Sequence, residues 1–403
     1  VTMTVPDPVL GPWAKAFPPR LWGSALSDVH TARARLSEFI TPVLVLGTEA
    51  LGHNERTVAG WAREAGVQLA PHGKTTMSPA LWQRLLAEGA WGITLATPWQ
   101  VELAVSVGVQ RILLANDLTD IAAATRFSEH AARGVRIVVW ADSPATVARL
   151  ARHTGPAPLE VMVDVGGADG RTGARGSDAA VAVAEAIAAE PNLTFAGVAG
   201  YEGLFGATRE DVAEVDVFLR ELLAVHERVA HLVPGRPILS AGGSEWPDRV
   251  AAILGGRSDA DVIVRSGAYQ VHDDGLYRRE SPFGTAVGAE RLHSAMHVFS
   301  RVVSQPEPGL ALLDAGRRDV SFDIDLPEVQ LLVGRGPLDA RITGLNDQHA
   351  FLRTDGEAPA VGEVVRLGLS HPCTALDKWR VIPLVDDPDA DDPLVIGAVA
   401  TCF

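Results

Sequence analysis

A lysine lies in the turn Pro71-His72-Gly73-Lys74-Thr75-Thr76, directly after a short apolar run at 67–70. If that run is a barrel strand, Lys74 stands at its carboxyl end, where desolvation lowers an amine's pKa and makes it a nucleophile or base. The plainer reading is a surface lysine. Two further turns are rich in small residues, Ser240-Ala241-Gly242-Gly243-Ser244 and Arg265-Ser266-Gly267-Ala268-Tyr269. Backbone N–H groups at Gly242, Gly243, Ser266 and Gly267 could cradle a phosphate, although turns also need glycine for conformation alone. Arg171, shortly after Asp164-Val165-Gly166-Gly167, could meet a cofactor ring or a substrate carboxylate, or lie in a surface loop. Tyr201, in Gly200-Tyr201-Glu202-Gly203, could stack on a cofactor or hydrogen-bond to it, or simply pack. Finally, His371-Pro372-Cys373 sets an imidazole and a thiol two residues apart, on the same side if the segment is extended. Both are good zinc ligands, but two ligands are an incomplete site and a lone buried cysteine is usually inert.

The elements that must position these residues follow from periodicity. Short apolar runs at 67–70, 91–95, 111–114, 135–140, 159–163, 193–199, 237–239 and 261–264 alternate with helix-like stretches such as 98–107, 179–189 and 211–229. Such alternation means parallel βα units, and eight of them are what a closed (β/α)8 barrel requires. An open doubly wound sheet is the alternative, but no dinucleotide glycine fingerprint follows the first strand. In a barrel the active site gathers at the strands' carboxyl ends, and the loops after strands seven and eight commonly bind phosphate. Closure makes strands one and eight neighbours, so Lys74 facing the Gly242–Gly243 and Ser266–Gly267 turns suggests a pyridoxal 5'-phosphate (PLP) Schiff base. A further strand-helix pair, 42–46 and 49–64, falls outside the count. After about residue 277 the rhythm changes to strand-like runs at 297–303, 311–314, 330–333, 340–343, 364–367 and 380–384, separated by Pro, Gly and Asp. The expected organisation is a barrel over 35–280 and a mostly β domain made of 1–34 plus 281–403.

The chain has 403 residues with 35 Lys and Arg against 50 Asp and Glu, a net charge of −15. That balance speaks against nucleic acid and anionic membrane as partners. No apolar run reaches the ~18–20 residues that span a bilayer, and residues 1–11 lack a signal-peptide pattern; the expected location is the cytoplasm. The two cysteines, Cys373 and Cys402, both come late and cannot form a disulfide framework.

The lysine turn, the Asp164, Arg171 and Tyr201 set, and the His371-Pro372-Cys373 motif together resemble the D-serine dehydratase and D-threonine aldolase family, fold-type III PLP enzymes related in fold to alanine racemase. The resemblance covers about residues 35–403. It implies that Lys74 is the Schiff-base lysine, Arg171 the barrel arginine near PLP, and Tyr201 the tyrosine over the cofactor. It implies that His371 and Cys373 are the Zn2+ (or other divalent metal) pair of the dehydratase branch, whose remaining ligands are water and substrate. It also implies a homodimer. Aldolases of the family more often carry Asp at the Cys373 position. One departure is that Thr75-Thr76-Met77-Ser78 follows the lysine where the family often has another basic residue, as in a subgroup labelled amino acid deaminase.

The reaction so implied is β-elimination of water from a 3-hydroxy D-amino acid, D-serine first, giving a 2-oxo acid and ammonia. PLP acts as electron sink, Lys74 as the base at Cα, and the metal as Lewis acid on the leaving hydroxyl. Retro-aldol cleavage to glycine and an aldehyde is the alternative. A racemase, which needs no metal, and a non-catalytic PLP carrier, which resembles the barrel alone, are further readings. His349 and Asp347 either line the substrate pocket or belong to a loop.

Overall fold

A computed structural model describes residues 3–403 apart from 169, 207, 287, 289 and 290. The chain divides into two units, one built chiefly from Val58–Lys74 and Trp82–Gly267, the other from Val5–Thr57, Thr75–Leu81 and Ala268–Phe403.

The first unit is the expected eight-stranded parallel barrel. Its strands, in chain order, are Gln68–Leu69, Ile93–Leu95, Arg111–Asp117, Arg136–Ala141, Leu159–Gly166, Leu193–Gly200, Ile238–Ala241 and Asp261–Val264. From the third on, each pairs with its predecessor in parallel, and the eighth pairs with the first through Ile263 opposite Gln68 and Val264 opposite Leu69. The first and second strands complete the ring where Trp91 N–H donates to the Leu69 carbonyl (2.7 Å) and Thr94 N–H to the Pro71 carbonyl (2.9 Å). The interior is filled by Leu113, Val138, Trp140, Met162, Ala199, Ile238 and Ile263, so the barrel is a packed core and its chemistry is pushed to the strand ends. Outer helices begin where the sequence supplies caps. Asp120 accepts the N–H groups of Ala122 and Ala123 at the start of Ile121–Ala132, and Ser143 accepts that of Thr146 at the start of Pro144–Leu150; each such cap stabilises by about 1 kcal/mol.

The second unit is mostly β. Val43–Gly47, the run outside the barrel count, pairs antiparallel with Met296–Glu307 and parallel with Val381–Val385. Beyond these lie Val364–Gly368 and Glu328–Leu332 on one side and Val395–Ala400 on the other. Leu44, Val298, Leu367, Ile382 and Trp379 are among the buried side chains of its core. The division therefore falls near residues 57 and 267, rather than 34 and 280, because the early strand is a member of this sheet and not a leader to the barrel. Three strands of this unit fall outside the expected runs, Gly336–Pro337, Ala350–Arg353 and Val395–Ala400, and one short helix, Pro372–Leu376, replaces the extended segment expected for the His-x-Cys motif. Among the described residues no helix is long and apolar enough to cross a membrane.

Candidate functional site

At the barrel's strand ends, Lys74 sits in the single 3-10 turn Gly73–Thr75. The turn is pinned by Trp82, whose indole N–H donates to the Gly73 carbonyl (3.0 Å). The lysine is exposed, not desolvated as expected. His72 keeps its ring close to three cations. Burial first, then Lys74, Arg265 and Arg171, push its pKa well below the usual histidine value, so the imidazole is neutral. Arg171 is exposed, and its guanidinium carbon lies 5.2 Å from the centre of the Tyr201 ring, a cation–π contact. Burial, with Glu245 and Glu202 adding to it, drives the Tyr201 hydroxyl's pKa upward, which keeps the phenol protonated.

The turn after strand seven departs from the expected cradle. Gly242 has φ +116°, a conformation glycine accepts and other residues resist, and its N–H points to a carboxylate of the chain itself. Glu202, fully buried, accepts Gly242 N–H at 2.8 Å and Gly243 N–H at 2.5 Å. The turn is thus an anion nest, as the sequence suggested, but Glu202 fills it and these N–H groups are not free for phosphate. Ser266 is also engaged, its hydroxyl donating to the Gly243 carbonyl (2.5 Å). Gly267 is a close-approach glycine, since a Cβ there would stand 2.6 Å from the His72 carbonyl oxygen.

Two functional side chains escaped the sequence reading. Glu202 was quoted only as a neighbour of Tyr201. Arg265, at the end of the apolar eighth strand, is 1% exposed. It donates to Ser240 Oγ (2.7 Å) and to the Gly200 carbonyl (2.6 Å), and its guanidinium carbon lies 4.9 Å from the Trp140 ring centre. The signal was available, because a charged residue closing a buried apolar run needs a reason to be there. Asp164, 3% exposed, accepts from Thr172 Oγ1 (2.8 Å), and burial raises its pKa to about 6. Asp117 is raised to about 7, by desolvation first and then by repulsion from Asp164 and Asp142.

Several buried polar atoms without a partner lie here. His72 Nδ1, Thr97 Oγ1, Trp140 Nε1 and Arg265 Nε have none, and each belongs to a residue at or near the end of a different barrel strand. Each such atom costs about 1–3 kcal/mol. Placing so many around a lysine and two arginines fits a polar, anionic ligand such as PLP.

In the second unit, His371 has φ +54° and stands immediately before the helix Pro372–Leu376, with Pro372 in the first helical position that proline favours. Its imidazole is raised to about 9, chiefly by its hydrogen bond with Cys373, against desolvation and with help from Asp323. Cys373 is half-buried and donates to Thr75 Oγ1 (3.5 Å). An imidazole and a thiol in mutual contact are soft donors that suit zinc. Among the described residues no group of three or more His, Cys, Asp or Glu side chains is arranged to hold an ion, so the chain offers a pair only. Asp347 and His349 lie in an exposed loop, where Asp347 pairs with Arg318 (3.2 Å). Cys402 is half-buried, and burial raises its thiol pKa.

Comparison with known proteins gives these features a setting. The profile of the alanine racemase N-terminal domain matches residues 47–249, and that of a putative serine dehydratase domain matches residues 295–385. A D-threonine aldolase of Arthrobacter sp is 27% identical over 90% of this chain and 93% of its own length. A 3-hydroxy-D-aspartate aldolase of Paracoccus denitrificans is 26% identical over 86% of this chain and 89% of its own. Among solved structures, D-threonine aldolase from Filomicrobium marinum superposes with a TM-score of 0.79 at 23% identity, covering 91% of this chain and 96% of that one. D-threo-3-hydroxyaspartate dehydratase from Delftia sp. HT23 does so at 0.72 and 23%, covering 90% and 98%.

Proposed function

The chain belongs to the alanine racemase-like family of PLP enzymes, and on that premise we propose that it is a lyase of 3-hydroxy D-amino acids, first of all a D-serine dehydratase-type ammonia-lyase. The observation that carries a lyase over a racemase is the contact pair His371 and Cys373, a soft donor set for which a racemase has no use. The serine dehydratase profile spans that pair.

PLP, once bound, withdraws electrons from the substrate's Cα and so makes its proton removable. Lys74 would hold the cofactor's aldehyde, and its amine, freed when substrate takes its place, would accept the Cα proton. Arg171 and Tyr201 would flank the ring. Arg265, buried and cationic, would disfavour a second positive charge beside it. With Gly242 and Gly243 held by Glu202, the phosphate would fall to the Ser266 and Gly267 turn. His371 and Cys373 would hold a divalent metal, zinc by donor chemistry, which would act as a Lewis acid on the β-hydroxyl. In this reading the working species is a cytoplasmic homodimer, which sedimentation at twice the mass of one chain would test.

A second reading, retro-aldol cleavage, is favoured by the two aldolases among the relatives. The deciding experiment supplies D-serine, D-threonine and the 3-hydroxyaspartate isomers with and without EDTA. Metal-dependent release of ammonia and 2-oxo acid is expected. Glycine as the product would replace dehydration by aldol cleavage, and turnover indifferent to EDTA would remove the metal from the mechanism.

A further inference from the structure

A side chain in close polar contact with His371 belongs to a residue with no role so far, Asp323. Its Oδ2 lies 2.5 Å from His371 Nδ1, and its Oδ1 accepts from Thr374 Oγ1 at 2.6 Å. An ionised carboxylate can only accept, so Nδ1 carries the proton of that bond and Nε2 is the nitrogen left to bind a metal. Asp323 therefore grips the residues on both sides of Cys373. Asp323 itself stands at the surface, its side chain 39% exposed. Phe322 and Ile324 are exposed at 45% and 46%, while Asp325, two residues on, takes Ser370 Oγ (2.8 Å) and pairs with Arg279 (2.9 Å). The backbone is anchored separately. The N–H of His371 donates to Asp273 Oδ2 (2.9 Å), and the other oxygen of that buried carboxylate takes the N–H groups of Gly275, Tyr277 and Arg278. Without Asp323, Nδ1 would have only Thr374 Oγ1, at 3.4 Å.

The geometry points to Asp323 as the positioning residue that fixes the ring orientation and tautomer of His371 for metal binding. The inference rests on the metal-dependent lyase reading. Carboxylates behind metal-bound histidines raise metal affinity by about 10–100-fold.

The test is Zn2+ affinity of the full-length, PLP-loaded protein, measured by competition with a chromophoric chelator. Asp323→Ala should weaken Zn2+ binding by about 10–100-fold with PLP absorbance unchanged. Asp323→Asn, which keeps an acceptor for Nδ1–H but not the charge, should fall between. Asp325→Asn removes an anchor of the same loop and should lower thermal stability without changing Zn2+ affinity. In the zinc-loaded protein, nitrogen-15 histidine spectra should show His371 protonated at Nδ1, and mixed in Asp323→Ala. Unchanged affinity in Asp323→Ala, where His371→Ala abolishes binding, overturns the positioning role and leaves the metal reading standing. Equal losses in Asp323→Ala and Asp325→Asn overturn it as mere scaffolding. Undiminished binding in His371→Ala overturns the metal reading and the inference with it.

Discussion

The barrel's strand ends and the His371 turn present their polar groups in opposite ways. At the barrel's strand ends, buried atoms on His72, Thr97, Trp140 and Arg265 stand without partners. Around His371 the backbone N–H and ring Nδ1 are bonded, with Asp273 on the backbone, Asp323 on the ring and Thr374 closing the loop. Unpaired buried polar atoms are costly and persist only where something outside the chain can satisfy them. A turn so anchored, with a residue at positive φ, is instead strain held in place so that two side chains keep one orientation. The barrel end is built to receive a polar molecule, and the His371 turn is built to preset a donor pair.

The sharpest way to break that comparison is to remove the central residue of each side. Lys74→Ala should abolish both the Schiff-base absorbance and all turnover; absorbance that persists would put the cofactor elsewhere. Cys373→Ala should abolish Zn2+ binding and lyase turnover while the Schiff-base absorbance stays, because the thiol belongs to the other unit's motif. Loss of absorbance in Cys373→Ala, read in a spectrophotometer before any assay, would mean the two sides are not separable functions.

How much of this was legible differs between the two sides for a physical reason. All eight barrel strands appear as apolar runs because a strand covered on both faces must be apolar throughout, and Lys74 follows from counting them. The sheet of the second unit was read less completely. Val395–Ala400 is itself an apolar run, but it follows directly on the acidic stretch at 386–392, which reads as a solvated loop, and it was not counted as a strand. The helix at Pro372–Leu376 was missed because five residues show no period, although Pro372 in its first turn is a start signal. Partners far apart in sequence were beyond reach. Nothing in one sequence says that Glu202 fills the nest at Gly242 and Gly243, or that Asp323 lies against His371, 48 positions later.

Glu202 offers a smaller and more discriminating break. Its two oxygens take two N–H groups, whereas glutamine has one acceptor oxygen and would turn an NH2 toward the other. Glu202→Gln should therefore leave one buried N–H unsatisfied and cost about 1–3 kcal/mol, lowering the melting temperature by ~2–4 °C per kcal/mol. Inorganic phosphate supplied to the variant sharpens the result. Recovery of the lost melting temperature, absent in wild type, would show that the nest accepts phosphate once Glu202 lets go; no recovery would make it a purely structural clasp.

The smallest expected effect tests whether the barrel end really holds its polar groups at a cost. Asp117 has its carboxyl raised to about 7, by desolvation first. A carboxyl that holds its proton more tightly in the folded than in the unfolded chain stabilises the fold fully below the ordinary carboxylate range, and that stability is lost as pH rises toward 7. Asn cannot ionise, so Asp117→Asn should gain on wild type across the same window, with little difference at pH 4 and a higher melting temperature at pH 8. Asp117 is only half-buried, and solvent screening reduces the advantage to about 1 kcal/mol. Melts at the two pH values measure the difference directly. An advantage that is equal at both would mean the carboxyl ionises freely, and that the strand ends near Asp117 and Asp164 are wetter than their burial indicates.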